Sequence, residues 1–467
     1  MFDQDVWGRP LLLNDAADPE LEELTATALN RKFNRLSFLP HTIVRNGSDT
    51  VLTPAEMDPG IYDGPEKYKI TPGPTGLHAR LQDVMSKNRD LAHISVALVD
   101  LTKDINKPEF ADHHKGQRFV ASVAKIAPML AAYQLRKDIR VAYAQKSAKS
   151  LPDLFDLVRD DWAATQKAGA RVAFTKGVTL LGKLVLVSGS SIPLGVTKAP
   201  QPGNVLTMPS AGSAASIDFQ STGENRTQLD GIGDAFNLAF EPPRGDKRTK
   251  AQLGKDRRDS IAVVDSLGFL ERLRLAIGGV VPVSNFAVAT IVRDVGYAYI
   301  ASTLLQCGLY DPARGGGLWL GSDFWSKKWR SALAGGVMQS ATAGSLAAFM
   351  TLLAQDRLVD ASSSAEMRAL LQKTPLPTTH PTIVSTFEEG LAEKVASALI
   401  QRVLSKLGVL NGIDDCTFFE RKLSAAPGAK TLRYVAVGLR AGPKANASAQ
   451  MKKLIKLLDD CIVANNP

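Results

Sequence analysis

The chain has 467 residues, 45% of them apolar, and a formal net charge of +9. That apolar content excludes a disordered chain, and the length fits two domains or one enlarged one. Three distant cysteines, Cys307, Cys416 and Cys461, exclude a disulfide framework, and six scattered histidines with one adjacent pair, His113–His114, give no metal-ligand spacing, so neither a metal nor an organic cofactor is expected.

The basic excess is partly local: Arg244 to Ser260 holds seven Lys/Arg against three Asp. Such a run reads as a solvated loop or a basic docking patch, and because aromatic residues do not interleave with it, no nucleic acid is expected. The first residues, Met1-Phe2-Asp3-Gln4-Asp5, are acidic and lack the basic start and apolar run of a secretory signal. With no uninterrupted apolar span either, the expectation is a soluble protein without membrane contact, cytoplasmic as the chain is written and secreted or periplasmic if it is a processed form.

Taken in order, residues 1–75 are rich in Pro, Asp and Gly and read as an N-terminal arm with one short helix, Glu20 to Asn30. The main domain is expected over 76–467. Leu77 to Met85 has helical spacing, Ile94 to Leu101 is a continuous apolar strand, and Phe110 to Val120 reads as a second strand leading to Ser122. A helix follows from Val123 to about Arg136, with Pro128 tolerated only near its first turn. Asp153 to Lys167 is an amphipathic helix. A long insertion is expected at about 170–260, and its stretch from Pro200 to Arg258 has little periodicity. A helix or helix pair is expected at Val288 to Leu305, and further helices around Trp325 and Trp329, at Ala343 to Leu353 behind an N-cap Thr342, at Ala365 to Gln372 and at Phe387 to Leu407. Strands Thr417 to Ser424 and Leu432 to Arg440 form a hairpin through Ala426-Pro427-Gly428-Ala429, and a helix with Met451, Leu454, Ile455, Leu458 and Ile462 on one stripe closes the chain.

The residues with the clearest chemistry are Ser122 and Lys125, three apart in the apolar run Arg118 to Leu130. One helical turn brings them to one face. A serine hydroxyl is a weak nucleophile until a base takes its proton, and a lysine becomes that base when burial lowers its pKa. The structural alternative is a capping serine followed by an ordinary, partly buried lysine.

Ser122-Val123-Ala124-Lys125 opening an apolar helix resembles the Ser-x-x-Lys element of serine β-lactamases and penicillin-binding proteins. Ser340 to Gln355 resembles the helix after the active-site loop of class A β-lactamases. The resemblance covers roughly Gly76 to Ile462 without the insertion. It implies an α+β (αβα) fold, an antiparallel sheet with terminal helices plus a helical lobe. It implies Ser122 as nucleophile, Lys125 as base and the Ser122 N–H as one oxyanion donor. The third family motif, Lys-Thr/Ser-Gly, is matched to Lys422-Leu423-Ser424, so that Lys422 attracts a substrate carboxylate and the N–H of Ala425, beside Ser424, is the second donor. Leu423 and Ser424 depart from the pattern, and Lys430-Thr431 is a rival match. The second motif, Ser-Asp-Asn or Tyr-x-Asn, is matched to Asp294 within Arg293-Asp294-Val295, with Tyr297 one turn on as a proton relay. The deacylating glutamate of class A enzymes has no visible counterpart.

The expected function is therefore a serine hydrolase or acyltransferase that forms an acyl-enzyme on an amide or ester carbonyl. Its substrate is a small molecule or peptide-like compound, an anionic one by preference. The alternative is a catalytically degenerate fold acting as a binding or scaffolding module, with a protein partner engaged through the N-terminal arm or the 170–260 insertion.

Overall fold

The largest sheet is built from two strands of the first half of the chain and three of the second. The computed structural model describes residues 2–4, 10–13, 76–114, 116–145, 214–223, 226–279, 281–295, 300, 303–304, 307–311, 316–325, 329–331, 339–372, 385–442 and 444–467. Two units divide the chain. One comprises Met1–Thr53, Pro128–Thr303 and Gly321–Gly335, the other Pro54–Ala127, Leu304–Leu320 and Gly336–Pro467.

The second unit starts with helix α1, Leu77–Lys87, followed by strands β1, Ser95–Asp100, and β2, Glu109–His113. A short strand, Arg118–Phe119, leads into a 3-10 turn, Ala121–Lys125, and helix α2, Ile126–Gln145, within which the boundary between units falls. Helix α3, Ala343–Ala354, is capped by Thr342, whose hydroxyl accepts from the Ser345 N–H. Helix α4, Thr386–Ala392, precedes three long strands: β3, Ile400–Val409; β4, Ile413–Lys422; and β5, Thr431–Ala441. Helix α5, Lys444–Asn465, ends the chain.

The five strands are antiparallel in the order β3-β4-β5-β1-β2. Side chains alternate across a sheet, so each face has its own partners. On one face, Val96, Leu98, Phe419, Tyr434 and Ala436 pack with Leu81 and Met85 of α1 and with Met451, Leu454 and Leu458 of α5. On the other face lies α3, where Cys416 Sγ is 3.7 Å from the Leu346 carbonyl oxygen. The arrangement is the expected α+β one.

The first unit is mainly helical, with helices at Arg226–Phe240, Lys250–Ser266, Phe269–Gly278 and Val283–Val295. Phe219, Phe236, Phe269 and Phe286 are buried in it. The Arg136 guanidinium lies over the Tyr133 and Phe219 rings, 4.8 and 4.6 Å from their centroids, and binds Asp218 at 2.6 Å. Phe2–Gln4 and Pro10–Leu13 pair with each other and, through the latter, with Trp329–Ser331.

Several expectations change. Phe387 to Leu407 is not one helix: α4 ends at Ala392 and β3 begins at Ile400. Phe110 to Val120 is two strands rather than one, and Trp329 lies in a strand. The stretch 200–258, expected to have little regular structure, contains one helix and the start of another. The second is fixed by a capping box between Thr249 and Gln252. In the region expected as a helix or helix pair, one helix spans Val283–Val295, and Ile300, Thr303 and Leu304 are again helical. The helices expected at Glu20 to Asn30 and at Asp153 to Lys167 lie outside the described residues. Among the described residues no helix is long and apolar enough to cross a membrane.

Candidate active site

The strand Arg118–Phe119 pairs with Ser340 and Ala341, and the Val120 N–H donates to the Gln339 carbonyl at 3.0 Å. The chain then reverses. Ala121 takes φ +40°, in the left-handed region, at a cost of about 1 kcal/mol or more for a residue with a Cβ. The 3-10 turn closes with the Val123 N–H on the Val120 carbonyl at 2.9 Å. Pro128, third in α2, has no N–H to lose from the helix ladder at that position.

This geometry tightens the relation between Ser122 and Lys125. A 3-10 helix has 3.0 residues per turn, so side chains at i and i+3 eclipse each other. Ser122 is half-buried, while Ala121, Val123, Ala124 and Lys125 are buried. Lys125 is only 1% exposed. Burial is the main force holding its pKa well below the usual lysine range, and the nearby charge of Lys406 acts in the same direction. A lysine in that setting is neutral in a larger share of molecules than a surface lysine, and a neutral amine can accept a proton.

Lys406 comes from the edge strand β3, where its register partner is Cys416; two residues on, Gly408 is opposite Asp414. The Gly408 backbone lies against the 3-10 turn. A Cβ on it would come within 2.6 Å of the Val120 carbonyl oxygen and 3.1 Å of the Val123 nitrogen, so a residue without a side chain is needed for this approach. By strand alternation Lys406 faces the same side as Gly408, and it too is buried, 9% exposed.

Lys406-Leu407-Gly408 therefore supplies the first and third residues of a Lys-x-Gly pattern beside the serine. This replaces the match made to Lys422. Lys422, Ser424 and Ala425 are exposed at the opposite end of β4 and in the turn after it. Lys422 is eight residues along β4 from Asp414, about 26 Å at a strand's rise per residue. Glu420, two residues before Lys422, is bound by Arg433 at 3.2 Å, with Arg402 at 3.6 Å. Ser424 Oγ accepts from the Ala426 N–H at 3.4 Å, a contact within the turn.

In the helical unit, Asp294 binds the buried Arg272 guanidinium at 2.6 Å, an ion pair internal to that unit. Tyr297 lies outside the described residues. Val283-Ser284-Asn285, at the start of the Val283–Val295 helix, carries the amide of a Ser-Asp-Asn pattern at its third position, which Arg293-Asp294-Val295 does not. No group of three or more His, Cys, Asp or Glu side chains among the described residues could hold a metal ion.

A scan against protein-family models finds no match, and a search of curated proteins finds none. Among solved structures, the chain is similar to a class A β-lactamase from Bacteroides cellulosilyticus DSM 14838, at 12% identity and TM-score 0.41, over 84% of this chain and 99% of that one. It is similar to a β-lactamase from Sphaerobacter thermophilus DSM 20745, at 13% identity and TM-score 0.37, over 85% and 100%. It is also similar to PBP-A, at 12% identity and TM-score 0.40, over 83% and 96%. At these identities and TM-scores the likenesses decide nothing about this chain, whose fold and chemistry rest on its own residues.

Proposed function

We propose that this protein is a serine acyl-transfer enzyme that forms an acyl-enzyme on Ser122. The observation that carries this reading is the buried Lys125 eclipsed with Ser122 on the 3-10 turn, its pKa pushed well down by burial. Ser122 Oγ attacks an amide or ester carbonyl, and its proton passes to the Lys125 amine. The tetrahedral oxyanion is held by backbone N–H donors, that of Ser122 and that of Val409, the residue after Gly408 on the edge strand. Collapse expels the leaving group, which takes the proton back from Lys125, and leaves the ester on Ser122. Lys406 contributes positive charge beside the turn and favours an anionic substrate, the role first assigned to Lys422. Water or a second nucleophile then accepts the acyl group.

The substrate class is an amide or ester of a small molecule or peptide-like compound. The second reading, a binding or scaffolding module on this fold, is favoured by Leu407, which stands where the Lys-Thr/Ser-Gly pattern has a hydroxyl.

Intact-protein mass after incubation with a fluorophosphonate, and separately with a penicillin, decides between them. The expected result is one adduct on the wild type and none on Ser122→Ala. A folded wild type that takes no adduct from any reagent overturns the catalytic reading.

A further inference from the structure

Next to Gly408, across the sheet, sits a buried carboxyl that the acylation step does not use. Asp414 is 0% exposed. Its Oδ1 accepts the Arg440 backbone N–H at 2.7 Å, and its Oδ2 is buried with no hydrogen-bond partner among the described residues. Its neighbour Asp415 is arranged otherwise, accepting from the Ser385 and Thr417 hydroxyls, both at 2.8 Å, and from the Phe387 N–H at 3.1 Å. Asp415 faces α4, so by alternation Asp414 faces the other way, onto the side that Gly408 presents to the Ser122 turn.

Arg440, which Asp414 holds, touches both walls of the site. Its backbone takes φ +67°, a strained conformation for a residue with a side chain. Its guanidinium donates to the Leu410 carbonyl at 3.4 Å, at the tip of the β3–β4 hairpin. The same group lies 5.9 Å from the centroid of Phe119, which leads into the Ser122 turn.

We propose that Asp414 is a positioning residue: by fixing the strained backbone of Arg440 it sets the Val409–Gly412 hairpin, and with it the Val409 N–H, against the Ser122 turn. This rests on the acyl-transfer reading of Ser122. Asp414 does so as a neutral carboxyl. An unpartnered buried oxygen cannot carry a negative charge cheaply, and burial pushes the Asp414 pKa up to about 7, with the Asp415 charge also raising it and Arg440 opposing. The charged groups around it are few. Lys406 of β3 and Lys125 of the turn are on its face, Arg440 comes from β5, and α3 carries no charged residue. Asp415 and, on α4, Glu388 and Glu389 belong to the opposite side.

The variants that test this are Asp414→Asn, a neutral mimic that keeps an oxygen for the Arg440 N–H, and Asp414→Ala, which removes it. Two readouts are taken from pH 5.5 to 9: the rate of fluorophosphonate labelling of Ser122, separated into binding and acylation, and amide exchange across Val409–Gly412 and at Arg440. In the expected result, Asp414→Ala lowers acylation about tenfold or more with binding unchanged, as loss of an aligned oxyanion donor does. Its hairpin amides exchange faster. Asp414→Asn keeps both at the wild-type level and loses the wild-type change near neutral pH.

Asp414→Ala acylating at the wild-type rate, or Asp414→Asn failing as badly as Asp414→Ala, overturns the proposal. If Asp414→Ala does not fold, the pH profile of Asp414→Asn decides. If the wild type is not labelled at all, the nucleophile reading fails, and amide exchange alone decides whether Asp414 sets the hairpin.

Discussion

Lys125 and Arg421 are both buried cations of the sheet-bearing unit, 1% and 3% exposed, and their surroundings are opposite in kind. Arg421 of β4 makes two bonds to Asp459 of α5, Nε to Oδ1 at 2.7 Å and Nη2 to Oδ2 at 2.9 Å. The Tyr434 hydroxyl also donates to Asp459, at 3.0 Å, and Lys394 reaches it at 2.9 Å. Every charge there has a counter-charge. At Lys125, burial pushes the amine toward neutrality, and the nearby positive charge of Lys406 acts in the same direction. The first arrangement keeps a cation charged and joins strand to helix. The second shifts a lysine toward its neutral form on the turn that carries Ser122. Burial alone does not mark a functional lysine; the sign of what surrounds it does.

The largest effects come from exchanging these roles. Lys125→Met is expected to lower labelling of Ser122 by about 10²–10⁴, the usual contribution of a general base, while raising stability by about 1–2 kcal/mol. The stability gain has a pH signature. In the unfolded chain Lys125 holds its proton up to about pH 10.4, whereas the folded protein releases it at lower pH. Wild-type stability therefore rises with pH between the lowered folded pKa and that value, and below the window the full penalty is present. Lys125→Met removes this slope, and urea unfolding at several pH values measures it. A variant that is both inactive and less stable would make Lys125 a structural lysine. Asp459→Ala should do the reverse. Stranding Arg421 costs about 3–5 kcal/mol of stability, read by thermal unfolding, while the molecules that remain folded label at the wild-type rate.

How much of this was legible in the sequence follows from how local each signal is. Ser122 and Lys125 are three residues apart in one turn, so the chain itself places them. β4 and β5 are rich in apolar, aromatic and β-branched residues and are separated by breaker residues, and α5 shows a single apolar stripe. β3 was hidden. Its register slips between Ile400 and Arg402, which breaks the two-residue alternation, and its Leu, Lys, Gln and Arg residues are good helix formers. Tertiary pairing with β4 overrides that local preference, and a helix ending at Leu407 hides that Lys406 and Gly408 share one face of a strand. Asp414 was not legible at all, because nothing in Asp414-Asp415 tells which carboxyl is satisfied and which is not. The helix Lys250–Ser266 did announce itself through Thr249 and Gln252, but the surrounding glycine and charge obscured it.

A smaller effect tests the contact between β3 and the turn. Gly408→Ala places a Cβ against the Val120 carbonyl, a backbone atom that cannot rotate away. The strand must shift, at a cost of about 1–3 kcal/mol in stability, and Val409 shifts with it. Labelling of Ser122 should fall by more than the loss of folded protein explains. A fall equal to that loss would mean the Val409 N–H is not part of the site.

The smallest expected effect separates the two ends of β4. Lys422 is exposed at the far end of the strand, eight residues from the Asp414 that faces Gly408. Lys422→Ala should therefore leave the thermal midpoint, the acylation rate and the binding of an anionic ester unchanged, whereas Lys406→Ala should weaken binding of the anionic ester more than that of its neutral analogue. Both lysines are cations on neighbouring strands of one sheet, so a long-range effect of charge would show for both. A contact effect shows only for the lysine whose strand lies against the Ser122 turn. Equal losses from the two variants would return the anion preference to the +9 net charge of the chain rather than to a site.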